Sequence, residues 1–206
     1  TIEPVVLQKG LIEFDIENAT TSSLPNIGTS STTNASFATI FTAQSVGSDD
    51  NGYYIDFTNG HFDNNRWITN TNTIPHTTFT NGDFTMIYET TMNYSSSQYP
   101  FLFGGNSDRL QSTGTAFVLY IGGSIVSLPT LPGSSGDHIK FIISGKFVEK
   151  QFKIYWNNIT TGDIVNSDWI THSSNMSAAT YFRMVTLQKI YVFKVYETNS
   201  DNLATE

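Results

Sequence analysis

The chain has 206 residues, of which 38% are hydrophobic and 14% charged, and it carries a formal net charge of −8. Binding to nucleic acid or to anionic membrane surfaces depends on clustered lysine and arginine, and the sequence has no such cluster. We therefore expect neither partner. The absence of cysteine excludes disulfides, thiolate catalysis and cysteine-ligated metal. No apolar run approaches the ~20 residues of a membrane-spanning helix, so we expect no membrane insertion.

The length suits a single all-β domain, and no segment has the composition of an inter-domain linker. We expect residues 1–10 to form an N-terminal arm or edge strand, residues 11–200 to form one β-sandwich, and residues 201–206 to form a C-terminal tail. Thr1 begins no signal-peptide pattern, which leads us to expect a domain excised from a longer protein.

Short strands joined by polar turns are predicted before residue 70. The predicted strands are 11–16, 37–41, 53–57 and 66–69. Residues 17–36 are almost wholly Asn, Thr, Ser, Gly and Pro, which predicts a long surface loop. Residues 47–52 are rich in turn formers and predict a turn between two of these strands.

The longest strand is predicted at 83–92, after the turn dipeptide Asn81-Gly82. Side chains alternate along it, with Phe84, Met86 and Tyr88 on one face. A strand with one apolar face needs a second sheet to cover that face.

Similar patterns continue to the C-terminus. They predict strands at 99–103, 115–121, 124–128, 138–144, 151–156, 163–170, 180–187 and 189–197. A hairpin turn is expected at Gly122-Gly123 and a loop at 131–136, and in 177–187 a helix could compete with a strand. Roughly ten to twelve short strands predict an all-β, antiparallel two-sheet β-sandwich. Its shared core is expected to contain Phe84, Met86, Tyr88, Phe141, Ile143, Phe152 and Ile154.

The order of these segments resembles the laminin-G/concanavalin-like (galectin-like) jelly-roll lectin domains. GLIEFDIEN at 10–18 resembles the opening strand of that family, and GYYIDFTNG at 52–60 resembles its aromatic-x-Phe-x-Gly strand. NGDFTMIYETTM at 81–92 is similar to the long strand of the concave sheet. FKIYWNNITTGD at 152–163 and LQKIYVFKVYETNSDN at 187–202 resemble a later strand and turn and the closing strand. The resemblance implies a concanavalin/galectin-like jelly roll that binds carbohydrate.

A second resemblance is to the receptor-binding head of the rotavirus outer-capsid spike, which is a related galectin-like sandwich. It rests on TIEPVV at 1–6, DNNRWIT at 63–69 and SSQYPFLFG at 96–104. It implies a head domain that binds host cell-surface glycans from a virion surface or outside cells, within a larger oligomeric spike or fibre. A module of a phage tail or bacterial adhesin would share these features.

The acidic residues do not form a recognisable glycosidase motif, which needs two carboxylates across one cleft. Glu13 and Asp15 approach the Glu-x-Asp-x-x-Glu pattern of laminarinase-type enzymes of this fold, but Asn18 replaces the third acid. Glu89 stands alone in its strand. The four histidines have neither triad nor zinc spacing, and residues 48–51 fit an acidic turn better than a calcium loop. We therefore expect no enzymatic activity, no cofactor and no metal site.

Carbohydrate binding needs only an aromatic ring that stacks on a sugar face and polar groups that hydrogen-bond its hydroxyls. We predict a binding site formed by Arg66, Trp67, Tyr94, Tyr99 and Arg109. An alternative position for Trp67 is the core at one end of the sandwich.

Other residues leave further alternatives. Trp156 is predicted to be in the core, since it is in phase with Phe152 and Ile154, whereas Trp169 and His172 form another candidate binding stretch. Asn-x-Ser/Thr sequons occur at Asn18, Asn34, Asn93, Asn158 and Asn175, and they matter only in a secretory pathway. Three functions stay open: a glycan-binding attachment head, a glycan-processing enzyme and a structural spacer.

Overall fold

A computed structural model describes residues 10–20, 23–29, 35–37, 45–56, 67–69, 83–91, 101–104, 108–112, 117–146, 148–174, 183–185 and 189–201. These residues contain seventeen strands and no helix. The strands are β1 (Ile12–Glu13), β2 (Ser23–Leu24), β3 (Ala35–Phe37), β4 (Ser45–Asp49), β5 (Gly52–Asp56), β6 (Trp67–Thr69), β7 (Phe84–Thr91), β8 (Phe101–Gly104), β9 (Asp108–Ser112), β10 (Phe117–Ile121), β11 (Ser124–Leu131), β12 (His138–Lys146), β13 (Gln151–Asn158), β14 (Ile164–Asn166), β15 (Ile170–Thr171), β16 (Arg183–Val185) and β17 (Lys189–Tyr196).

The strands form two sheets. The nine-stranded sheet has the order β14-β13-β12-β7-β17-β5-β4, with β1 paired to β17 and β15 paired to β13. The eight-stranded sheet has the order β11-β10-β9-β8-β16-β6-β3-β2. The chain crosses repeatedly from one sheet to the other, which is the connectivity of a jelly roll. The prediction of an all-β, antiparallel two-sheet sandwich is confirmed, and no helix able to cross a membrane occurs in the described residues.

The core lies between the sheets, and alternate side chains of the strands point into it, most regularly on β13. All seven side chains predicted for it are buried, and β7 sits between β12 and β17 as a central strand. Trp156, as expected, is 0% exposed, and its indole N–H donates to the carbonyl of Pro132 at 3.0 Å. The Trp156 ring lies 5.4 Å from that of Phe117 in the opposite sheet, so it links the two sheets.

Several predicted boundaries are wrong. Residues 47–49 belong to β4 rather than to a turn, and the chain reverses at Asp50-Asn51. Strand β9 was not expected because its sequence, DRLQS, brings only Leu110 to the core. The predicted loop 131–136 begins one residue too early, since β11 continues past Pro129 to Leu131, which pairs with Phe117. Pro129 is tolerated because β11 is an edge strand.

Other predicted elements differ less from the observed strands and turns. The predicted loop 17–36 contains β2 and the start of β3, and residues 183–185 of the helix-or-strand stretch form β16. The hairpin at Gly122-Gly123 is confirmed, with φ angles of 56° and 79° that favour glycine. The predicted turn Asn81-Gly82 lies outside the described residues.

Candidate functional site

The nine-stranded sheet has an outer face that points away from the core. On β13 the side chains of Lys153 and Tyr155 lie on this face, because their neighbours Ile154 and Trp156 are buried in the core. Register places β12 residues beside them: Ile142 is the cross-strand partner of Tyr155, and Ser144 is the partner of Lys153. Cross-strand partners on one face are in side-chain contact range, so this face has a defined local composition.

A pocket of about 210 Å³ opens on this outer face. It is lined by side chains from β7, β12, β13, β14 and the segment after β17, namely Thr85, Ile142, Ser144, Lys153, Tyr155, Asn166 and Ser200. The lining combines one aromatic ring, one aliphatic side chain, an amide, an ammonium and three hydroxyls. Such a set suits a ligand that presents both hydroxyl groups and a C–H face.

Ser200, in the segment that follows β17, forms one wall of the pocket, and this segment is tied to the sheet by hydrogen bonds. The Thr85 hydroxyl donates to the carbonyl of Thr198 at 2.7 Å, and the backbone N–H of Ser200 donates to Oγ of Ser144 at 2.8 Å. The hydroxyl groups of Thr85 and Ser144 are therefore already hydrogen-bonded within the protein. Ser200 Oγ, in contrast, is buried and has no hydrogen-bond partner among the described residues.

Trp169 and Asp201 lie beside the pocket. The Trp169 indole N–H donates to Oδ2 of Asp201 at 2.8 Å, and the Lys146 ammonium lies 4.2 Å from the centre of the indole ring. The Asp201 carboxylate also lies 3.3 Å from Lys146 and 3.5 Å from Lys153. The hydrogen bond from Trp169 lowers the pKa of Asp201 most, and the two lysines lower it further. Since Lys146 covers one face of the Trp169 ring, that face is closed to a sugar.

A second cluster of side chains, formed by Asp49, Tyr54, Lys189 and Tyr191, lies at the other end of the outer face of the nine-stranded sheet. Asp49 accepts hydrogen bonds from Lys189 at 2.9 Å and from the Tyr191 hydroxyl at 3.0 Å, and Lys189 lies 4.0 Å from the centre of the Tyr54 ring. Burial and the bond to Asp49 raise the pKa of Tyr191 far above its ordinary value. Burial of Asp49 opposes ionisation, but hydrogen bonds from Lys189 and its other donors outweigh it and lower the pKa.

The second cluster extends to two residues considered for catalysis. The His138 Nε2 lies 2.8 Å from Oε1 of Glu89, and the imidazole stacks on Tyr191 at 4.8 Å between ring centres. Both side chains are largely buried, at 8% and 18% exposure. The pair therefore serves packing between β7, β12 and β17 rather than reaching an open cleft.

The residues predicted to bind glycan are only partly placed. Arg66, Tyr94 and Tyr99 lie outside the described residues, and Trp67 is described as the first residue of β6. Arg109 lies on β9, where its Nε–H donates to Oε1 of Gln111 at 2.9 Å and its guanidinium lies 3.9 Å from the centre of the Tyr120 ring. Strands β6 and β9 are three positions apart in one sheet, which separates their backbones by about 14 Å. The five-residue site stays a prediction.

The pocket residues were missed because each is an ordinary outward position on an alternating strand. Tyr155, Lys153 and Asn166 carry no motif, and their proximity depends on the pairing of β13 with β12 and β14. The one available signal was the polar and aromatic outward half of QFKIYWNN. His172, the partner of Trp169 in the other candidate stretch, accepts a hydrogen bond from the Ser174 N–H at 3.2 Å. Within the described part of the chain, no three potential metal ligands cluster.

Comparison with known proteins gives a weak structural likeness. No family model and no curated protein matches the sequence. A carbohydrate-binding module (CBM40) of a Ruminococcus gnavus sialidase, bound to α2,3-sialyllactose, matches 59% of this chain and 80% of its own at 14% identity and a TM-score of 0.42. Tailspike protein 2 of the Escherichia coli O157:H7 bacteriophage CAB120 matches 96% of this chain at 12% identity and a TM-score of 0.44, but this covers only 24% of the tailspike.

A catalytic domain is among the matches as well. The glycoside hydrolase family 131 domain from Coprinopsis cinerea matches 57% of this chain and 55% of its own at 14% identity and a TM-score of 0.30. Likenesses at this level occur for binding modules and enzymes, so they assign no function.

Proposed function

We propose that this domain binds glycans without turning them over, and that it binds them in the pocket beside Tyr155. The observation that carries the proposal is the arrangement of the Tyr155 ring, the Asn166 amide and the Lys153 ammonium around one open pocket of about 210 Å³. A sugar presents an apolar C–H face to an aromatic ring and hydroxyls to amide and ammonium donors.

The position of Tyr155 favours recognition of this kind. Its backbone is held on both sides, by Ile142 of β12 and Asn166 of β14, so that little backbone freedom is lost when a ligand binds. Ser200 lines the same pocket, and its backbone N–H donates to Oγ of Ser144, so this part of the pocket is also held in place by the fold.

The arrangement of acids argues against glycoside hydrolysis. Glu13 and Glu89 both lie on the outer face of the nine-stranded sheet, on strands that flank β17, but Glu13 pairs with Lys194 at 2.9 Å and Glu89 pairs with His138. Register separates the backbones of the two acids by two strand spacings and two residues, or about 12 Å. Each carboxylate is also held by its own partner on the sheet, so the two do not face each other across one cleft as a glycosidase pair must.

A small pocket of this kind suits weak binding that is strengthened by multivalency. Display of several copies raises avidity by ~10²–10⁴-fold without any new contact. We therefore propose that the domain is the receptor-recognition head of a viral, rotavirus-like spike or attachment protein, displayed on a virion surface as part of a larger oligomer. A glycan-binding module of a phage tail or a bacterial adhesin is the second candidate.

A second binding surface is proposed at Arg66, Trp67, Tyr94, Tyr99 and Arg109. Arg109 supports it, because its guanidinium is oriented by Gln111 and by the Tyr120 ring on the outer face of the eight-stranded sheet. An oriented guanidinium forms directional hydrogen bonds to sugar oxygens.

A glycan array on the purified domain tests the function, and Tyr155→Ala tests the site. We expect Tyr155→Ala to weaken binding of the best array ligand by roughly ten-fold or more, since a stacked ring contributes ~1–2 kcal/mol. Tyr53→Ala is the matched control, because Tyr53 is 50% exposed on the same sheet and lines no part of the pocket. Normal binding by Tyr155→Ala with loss in Arg109→Ala would move the site to the second surface. An array without any ligand, or sustained release of reducing sugar, would overturn the function.

A further inference from the structure

Two of the five sequons differ in the solvent exposure of their asparagine, which is buried in one and exposed in the other. Asn158, in Asn158-Ile159-Thr160, ends β13 and is 0% exposed. Its side-chain amide nitrogen donates to Oδ2 of Asp137 at 2.7 Å, and its side-chain oxygen accepts from the backbone N–H of Thr161 at 3.1 Å. A glycan on Nδ2 has no path to solvent through this enclosure, because protein interiors are packed without voids of that size.

Asn18, in Asn18-Ala19-Thr20, is exposed at the turn that follows β1. Its side-chain amide donates to Oδ2 of Asp15 at 2.8 Å on the surface. A glycan on this nitrogen would extend into solvent, and the turn keeps its backbone bond from the Ala19 N–H to the Ile16 carbonyl. The asparagines of the other three sequons, Asn34, Asn93 and Asn175, lie outside the described residues.

We propose that the native fold accepts an N-linked glycan at Asn18 and excludes one at Asn158, so that the chain folds only where Asn158 escapes glycosylation. This inference goes beyond the proposed glycan binding and is independent of it. In the transfer step, Nδ2 forms a C–N bond to the anomeric carbon of a lipid-diphosphate-linked oligosaccharide. The anomeric C–O bond breaks, the lipid diphosphate leaves with the electron pair, and the amide proton passes to a base of the transferase.

Thr160 provides a variant with opposite expected effects in two hosts. Thr160→Ala destroys the sequon, but it also removes the Oγ1 atom that accepts from the His138 backbone N–H at 2.9 Å. In bacterial cytosol, which is without this transferase, we expect Thr160→Ala to melt at a lower temperature than the unaltered chain. In a eukaryotic secretory host, we expect the same variant to give a several-fold higher yield of secreted, folded protein.

Thr160→Ser is the matched control, because it keeps both the hydroxyl and the sequon and should follow the unaltered chain in both hosts. Mass spectrometry of the unaltered chain should find glycan on Asn18 in the secreted pool and glycan on Asn158 only in the retained pool. A secreted chain with native melting behaviour and an occupied Asn158 would overturn the proposal. So would an unoccupied Asn158 in the retained pool, or a Thr160→Ala yield no higher than that of the unaltered chain.

Discussion

Trp169 and Asp201 are joined by a hydrogen bond of 2.8 Å between residues 32 positions apart in the chain. Through the same carboxylate, Asp201 holds Lys146 and Lys153, and Lys153 lines the pocket. The segment after β17 therefore orients a pocket residue on β13, although it belongs to no strand.

We expect Asp201→Asn to lower the melting temperature at neutral pH and to reduce glycan affinity through a less ordered Lys153. The hydrogen bond from Trp169 and the two lysines hold the pKa of Asp201 below its ordinary 3.8. A lowered pKa means that the carboxylate contributes its stability above the ordinary value and loses it as the pH falls through the folded value. The melting difference between the two proteins should therefore be fully present above pH 3.8 and should shrink as the pH falls below that value. Asp50→Asn, in an exposed turn, is the control and should show no such difference.

Tyr191→Phe should destabilise the protein by about 1 kcal/mol, because it removes the donor of the 3.0 Å hydrogen bond to Asp49. Burial and this bond raise the pKa of Tyr191 above its ordinary 10.0. The neutral phenol is thus favoured by folding, and its contribution is present below the ordinary value and lost as the pH rises through the folded one. Urea unfolding at neutral and alkaline pH measures this loss. Tyr53→Phe, at an exposed position, should leave stability unchanged at both pH values; an equal effect there would contradict the assignment.

Gly145→Ala should destabilise the fold by ~1–3 kcal/mol, because an added Cβ would overlap the ring of Phe84 on the neighbouring strand. The cost should be smaller in a Phe84→Leu background, where the narrower side chain leaves room. A double-mutant cycle by urea denaturation measures this coupling. Additive costs in the free energy of unfolding would show that the protein relieves the clash by moving a group other than the Phe84 ring.

Two tryptophans should respond differently to truncation. Trp156→Ala should cost ~3–5 kcal/mol, because the ring is fully buried between the sheets. Trp67→Ala should reduce glycan binding by roughly ten-fold with little change in melting temperature if its ring stacks on sugar. Thermal melts and binding titrations of both variants distinguish the two positions. A large loss of stability in Trp67→Ala, with binding intact in the folded protein, would place Trp67 in the core.

The core and the sandwich could be predicted because both depend on local periodicity. Phe84, Met86 and Tyr88 alternate along one strand, and Phe152, Ile154 and Trp156 alternate along another, so their burial follows from a period of two. Strand β9 could not be predicted from the sequence, because one buried leucine, Leu110, gives no detectable period.

The pocket depended on tertiary structure because it joins positions that only strand register and the chain after β17 bring together. Tyr155 meets Ile142 through the β12–β13 pairing, while Ser200 reaches Ser144 over 56 residues of chain. The same holds for Asn18 and Asn158, which share the pattern Asn-x-Thr. One is exposed and the other 0% exposed, because only β13 carries its asparagine into the interior.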